Sequence, residues 1–163
     1  MNPESRRWAY PMAAWAIGLI CALAPVANAA ADELKALRGT HAAWSGECGG
    51  CHLPYPPQLL PAGSWRALMQ GLDQHFGTDA SVDPKTAATI GAFLEANAGR
   101  ERSGKPEAAV LRITATRWFG HEHSGKAAAT WKAGWIKSPA DCAACHRQAA
   151  DGDFGERTLR LPQ

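Results

Sequence analysis

Apolar residues recur at steps of three and four through the middle of the chain, the spacing of one face of a helix. Trp65, Leu68, Leu72 and His75 fall on such a face, in a segment that opens at Ser64 and that Gly77 can end. Ile90, Phe93, Leu94 and Asn97 form a second face, after the cap-and-proline pair Asp83-Pro84 and before Gly99. Upstream, Asp32 can cap a short helix through Leu34 and Leu37 that Gly39 closes, and Thr40 can cap a helix running into Cys48. Tyr55-Pro56-Pro57 and Pro61 enforce an extended stretch between the helices. Further on, Val110 to Thr114 reads as extended, short helices centre on Trp118 and Trp131, and Pro139 opens a helix carrying Cys142 to His146. Gly152 to Gln163 has no strong periodicity. The pattern predicts a mainly α protein with two small lobes, residues 30–98 and 110–163, joined by a polar linker over 99–109.

Trp8 to Val26 is of another kind, an uncharged apolar run broken by Pro11 and Pro25. Arg6 and Arg7 precede it, and Ala27-Asn28-Ala29 follows with the small-x-small pattern of a cleavage site. This predicts a signal peptide over residues 1–29, with the cut after Ala29 or Ala31 and export by the general secretory route. A retained anchor is the alternative, since the run is nearly long enough to span a bilayer. Cys21 leaves with the leader, and Ile20 before it is too large for a lipid-attachment site. Of 17 basic and 15 acidic residues, loss of Glu4, Arg6 and Arg7 leaves 15 against 14. That balance offers no basic excess for nucleic acid.

The remaining cysteines change the picture most. Cys48-Gly49-Gly50-Cys51-His52 and Cys142-Ala143-Ala144-Cys145-His146 are two copies of Cys-x-x-Cys-His, the haem c attachment signature. Two thiols one turn apart can add to the two vinyl groups of one porphyrin, and the adjoining imidazole can then ligate the iron. Gly and Ala between the thiols keep bulk off the porphyrin edge. Zinc binding, disulfides and a thiol redox site compete for a single Cys-x-x-Cys. Two copies, each followed by His in an exported chain, select two covalently bound haem c groups. Each lobe has roughly sixty residues, marginal for an apolar core of its own, so the haem-free chain is expected to be largely unfolded.

The ligand on the far side of each iron decides between an electron carrier and a site open to small molecules. Met69, His41, His75, His121 and His123 are the candidates. His75, 23 residues past His52 and beside Phe76, is favoured for the first iron. Met69 reads as a gap-filling core residue and His41 as an exposed one. For the second iron, His121 and His123 point roughly 200° apart in a helix, so only one reaches it. Glu122 reads as a solvated charge.

The chain resembles the small dihaem cytochrome c family of bacterial periplasms from about Trp44 to Pro162. Glu47 to His52, Tyr55-Pro56-Pro57, Leu60-Pro61, Ser64-Trp65, His75-Phe76-Gly77 and Asn97-Ala98 carry the likeness. Arg112-Ile113-Thr114, Trp118-Phe119, the second motif, Gly152-Asp153-Phe154 and Arg160-Leu161-Pro162 continue it. The resemblance implies an N-terminal lobe related to class I cytochrome c and bis-histidine iron at both haems. It places the second distal ligand four residues after Phe119, at His123, with His121 as the fallback. A monomeric carrier without a small-molecule substrate is expected. An oxygen-binding monohaem cytochrome c and a membrane b-type cytochrome are its implied partners. A haem enzyme of the peroxidase or nitrogen-oxide reductase type, using Glu122 or His121 beside an open iron, is one rival reading. A ligand-binding haem module and a zinc-bound structural domain are the others.

Overall fold

The computed structural model describes residues 41–100 and 109–162. The leader, the helix expected after Asp32, the cap at Thr40 and most of the linker lie outside the described residues. Five α-helices are described: α1 (Ala42–Gly49), α2 (Ala62–Gln70), α3 (Pro84–Ala96), α4 (Arg117–Glu122) and α5 (Lys126–Lys132). Short 3-10 turns join them, and pairing outside helices is limited, among the described residues, to isolated bridges such as Pro61 with Gly99. The fold is mainly α. Among the described residues no helix is long and apolar enough to cross a membrane.

The first core forms where α2 packs on α3 and α1 closes over them. Trp44, Leu60, Trp65, Leu68, Ile90 and Leu94 are buried together, with Phe93, Met69 and Tyr55 packed at the margin. Asp83 caps α3 as expected, its carboxylate accepting from the Lys85 and Thr86 amides at 3.1 and 3.0 Å. The proline-rich stretch is extended apart from one 3-10 turn at Pro57–Leu59, whose first carbonyl accepts from the Trp65 indole at 2.7 Å. Gly99 returns alongside, its amide bonded to the Leu60 carbonyl at 2.9 Å. A Cβ there would overlap the Gln58 carbonyl, so the close pass requires glycine.

Four expectations are corrected. α1 is capped by His41, whose Nδ1 accepts from the Trp44 amide at 3.1 Å, and His41 is half-buried against Phe93 rather than exposed. The helix expected from Ser64 to Gly77 runs only from Ala62 to Gln70. Gly71, a poor helix former, ends it, and a 3-10 turn at Leu72–Gln74 follows. Phe76 and Gly77, both at positive φ, then reverse the chain, so His75 sits on a turn and not on a helix face. In the second lobe Ile113–Ala115 is a 3-10 turn within the stretch expected to be extended. Finally, Pro139 opens no helix: Cys142–Ala144 is a single 3-10 turn, held after a bend at Ser138 to Asp141.

Among the described residues, the lobes meet at Tyr55 and around Arg112. The Tyr55 hydroxyl donates to the Ala140 carbonyl at 2.9 Å. On the other side, the Arg112 guanidinium lies 4.0 Å over the Phe76 ring and Ile113 packs on the first core.

Two candidate haem c sites

At the first site α1 carries Cys48 in its last turn and stops at Gly50, so Cys51 and His52 follow in the turn beyond. The His52 ring is fixed on two sides. Its Nδ1–H donates to the Leu53 carbonyl at 2.7 Å, and Tyr55 stacks on it at 4.9 Å and 27°. With Nδ1 engaged, Nε2 is the nitrogen left for a metal. The turn after α2 sets His75 opposite, ring centroids 6.2 Å apart and planes within 20°. His75 Nδ1 is buried without a hydrogen-bond partner. Burial, then the positive charges that His52 and Arg112 can carry, holds the His75 ring below the usual histidine range, so it stays a neutral donor.

The second site is assembled from both ends of its lobe. Cys142–Ala144 turns tightly, and the His146 amide closes onto the Cys142 carbonyl at 2.8 Å. The aperiodic tail straps the motif from outside: the Arg160 amide donates to the Cys145 carbonyl at 2.9 Å, and Leu159 bridges to His146. Phe154 packs on the His146 ring at 5.4 Å. Burial, then His123, pushes the His146 ring toward neutrality, opposed by Asp153 and the Phe154 backbone.

Facing it is His123, at the C-cap of α4. Its Nδ1–H donates to the Phe119 carbonyl at 3.0 Å. Its ring stacks on Phe119 at 3.9 Å and 13°, and Trp131 lies 5.7 Å from both rings. His123 and His146 stand 6.2 Å apart, with planes at 72°. His121 is not brought to the site: its side chain is 85% exposed and pairs with Glu122 at 3.1 Å. Met69 packs on the first core and His41 on Phe93, away from either facing pair. The roles of Tyr55, Trp131, Phe154 and the tail were missed in the residue patterns; aromatic residues at positions without periodicity were the available signal.

Whether these residues fit a haem iron can be tested on the spacing. A metal bound at about 2 Å by two opposed imidazole nitrogens needs ring centroids roughly 6.2 Å apart. Both pairs meet that spacing independently. Burial, then Asp141, pushes Cys142 up to about 11, and burial raises Cys48 and Cys145. Among the described residues no three His, Cys, Asp or Glu side chains converge as a zinc site requires. None of the four cysteines is in a disulfide.

A mainly helical fold with two Cys-x-x-Cys-His segments, each faced across a metal-sized gap by a second imidazole, defines a c-type cytochrome. The family model for dihaem cytochrome c matches residues 44–154, and the chain belongs to that family, which carries two covalently bound haem c groups. A diheme cytochrome c from Rhodobacter sphaeroides superposes with a TM-score of 0.64 at 37% identity, covering 71% of this chain and 97% of the other. A diheme cytochrome c from Shewanella baltica OS155 gives 0.62 at 34%, over 74% and 92%. Another Rhodobacter sphaeroides structure of this kind gives 0.58 at 42%, over 71% and 97%. No curated protein sequence matches the chain.

Proposed function

We propose that the chain is an exported carrier of single electrons, with two low-spin haems each held between two histidines. Cys48 and Cys51 would attach the first haem, with His52 and His75 on its iron. Cys142 and Cys145 would attach the second, with His146 and His123 on its iron. The observation that carries this reading is the recurrence of one 6.2 Å imidazole spacing at two sites built from unrelated local structure.

When bound, each haem supplies a metal that gains or loses one electron. The protein's part is to hold that metal closed in both states, so that no substrate competes for it. Leu53 and Phe119 carbonyls orient one imidazole at each site, and Tyr55, Phe119 and Trp131 restrain the rings by stacking. Histidine in place of methionine lowers the reduction potential, which suits a low-potential carrier. The likeness to the periplasmic family supports export to the periplasm. It also supports an oxygen-binding monohaem cytochrome c and a membrane b-type cytochrome as redox partners.

The test is the absorption spectrum of protein purified from the periplasm, with a haem count per chain. Two covalent haems, low-spin when oxidised and when reduced and slow to bind carbon monoxide, are expected. A colourless or zinc-loaded mature protein, or one haem that binds carbon monoxide at once, would overturn the proposal.

A further inference from the structure

Tyr55 touches both haem sites. Its ring lies on His52, the imidazole of the first motif. Its hydroxyl, 85 residues away in sequence, bonds to the carbonyl of Ala140, which the Cys142 amide also reaches at 3.0 Å. One side chain therefore connects the ligand of one attachment motif to the loop that positions the other. Tyr55 is half-buried, with its ring in the margin of the first core, so the strut is anchored at its base. Pro54 and the Pro56-Pro57 pair flank it and restrict its backbone. The contact of Arg112 over Phe76, also between the lobes, lies beside His75 instead and touches neither attachment motif.

We infer that Tyr55 is a positioning residue for electron exchange between the two haems, fixing the second attachment motif against the imidazole of the first. This rests on the two-haem, bis-histidine reading above and deepens it. The step served moves one electron from a ferrous iron to a ferric iron within one molecule. No bond is made or broken, Tyr55 keeps its proton, and no outside oxidant or reductant is required.

Substitution separates the two ends of the strut. Tyr55→Phe keeps the stack on His52 and removes only the hydroxyl bond. Tyr55→Ala removes both. In each holoprotein the haem count and spin state are measured first. Three readouts then follow: amide hydrogen exchange over residues 138–145, the iron–iron dipolar distance distribution in the fully oxidised state, and electron exchange between haem methyl signals in half-reduced samples.

In Tyr55→Phe, amides of 138–145 are expected to exchange roughly fivefold faster, the effect of one lost hydrogen bond. The dipolar distribution broadens and intramolecular exchange slows, with Tyr55→Ala further in the same direction. A residue that merely supported the first core would leave the dipolar and exchange readouts at wild-type values. Wild-type values of both in Tyr55→Phe and, where it matures, in Tyr55→Ala would overturn the inference. The parent reading fails differently, by a wild-type protein that has fewer than two haems or a high-spin iron.

Discussion

His121 and His123 give the sharpest test, because two imidazoles two residues apart compete for one position. His123 is held by a 3.0 Å bond to the Phe119 carbonyl and a 3.9 Å stack on the Phe119 ring. His121 points into solvent, 85% exposed. Bringing it inward requires the last turn of α4 to open. That breaks the bond from the His123 amide to Phe119 and the bond from the Ser124 amide to His121. Two such bonds contribute about 2 kcal/mol together, and the lost ring stack adds about 1. On the proposed bis-histidine reading, His123 is therefore favoured over His121 as the second distal ligand by a margin of about two powers of ten. His123→Ala should leave one of the two haems five-coordinate, so half of the total haem converts to high spin. Free imidazole should restore it, because the Ala leaves a ring-sized space between Phe119, Trp131 and His146. His121→Ala should leave both haems low-spin. Absorption in the high-spin charge-transfer region, titrated with imidazole, measures all three. If His121→Ala produced the high-spin haem, or if His123→Ala left both haems low-spin, the ring geometry would be the wrong guide to ligation.

Other consequences are open to direct measurement. Gly99→Ala should lower the stability of the holoprotein by about 1–3 kcal/mol, because the added methyl meets the Gln58 backbone. Gly91→Ala in α3, whose methyl makes only an ordinary 3.9 Å contact with Met69, should raise it by about 0.5–1 kcal/mol; denaturant titration of both separates packing from propensity. With imidazole planes at 20° in one pair and 72° in the other, the oxidised protein should give two distinct low-spin paramagnetic resonance signals. The near-perpendicular pair should give the more axial signal, and a single common signal would contradict the ring planes. Asp83→Ala should lower the melting temperature at neutral pH. Hydrogen bonds donated by the Thr86 hydroxyl and amide, and then by the Lys85 amide, hold the Asp83 carboxyl below its usual range. The ionised cap therefore stabilises fully above the unfolded carboxylate range, and the difference from wild type should vanish as pH falls through the lower folded value.

The apolar spacing made α3 legible down to its cap, because Asp83-Pro84 and the buried Ile90 and Leu94 all point to one helix. The Cys-x-x-Cys-His motifs made the cofactor legible, because the thioether chemistry is local in sequence. His75 was expected on a helix face and lies on a turn. Its step from Leu72 fits a continuing helix, yet Gly71 ends α2 and the left-handed Phe76-Gly77 pair reverses the chain. The helix expected over the second motif failed for a related cause. Attachment requires only one turn of geometry, and the 3-10 turn at Cys142–Ala144 supplies it. Tyr55 to Ala140 and Arg160 to Cys145 were not legible at all, since neither contact leaves a period in the sequence.

The two lobes solve the same problem with different interiors. The first buries six large apolar side chains in one cluster and sets its histidine pair at the edge of that cluster. The second, among the described residues, buries only Phe119 and Ala149 as apolar side chains. Its remaining aromatic material is spent around the ligands: Phe119 and Trp131 stack about His123, and Phe154 covers His146. In that lobe the cofactor site and the core are the same place. A lobe whose interior would be a porphyrin has little reason to repeat apolar residues every third or fourth position, which fits the lack of periodicity from Gly152 to Gln163. The haem-free chain is therefore expected to lose the order of the second lobe first, because the first lobe has an apolar cluster of its own, which the second meets through Tyr55 and Arg112.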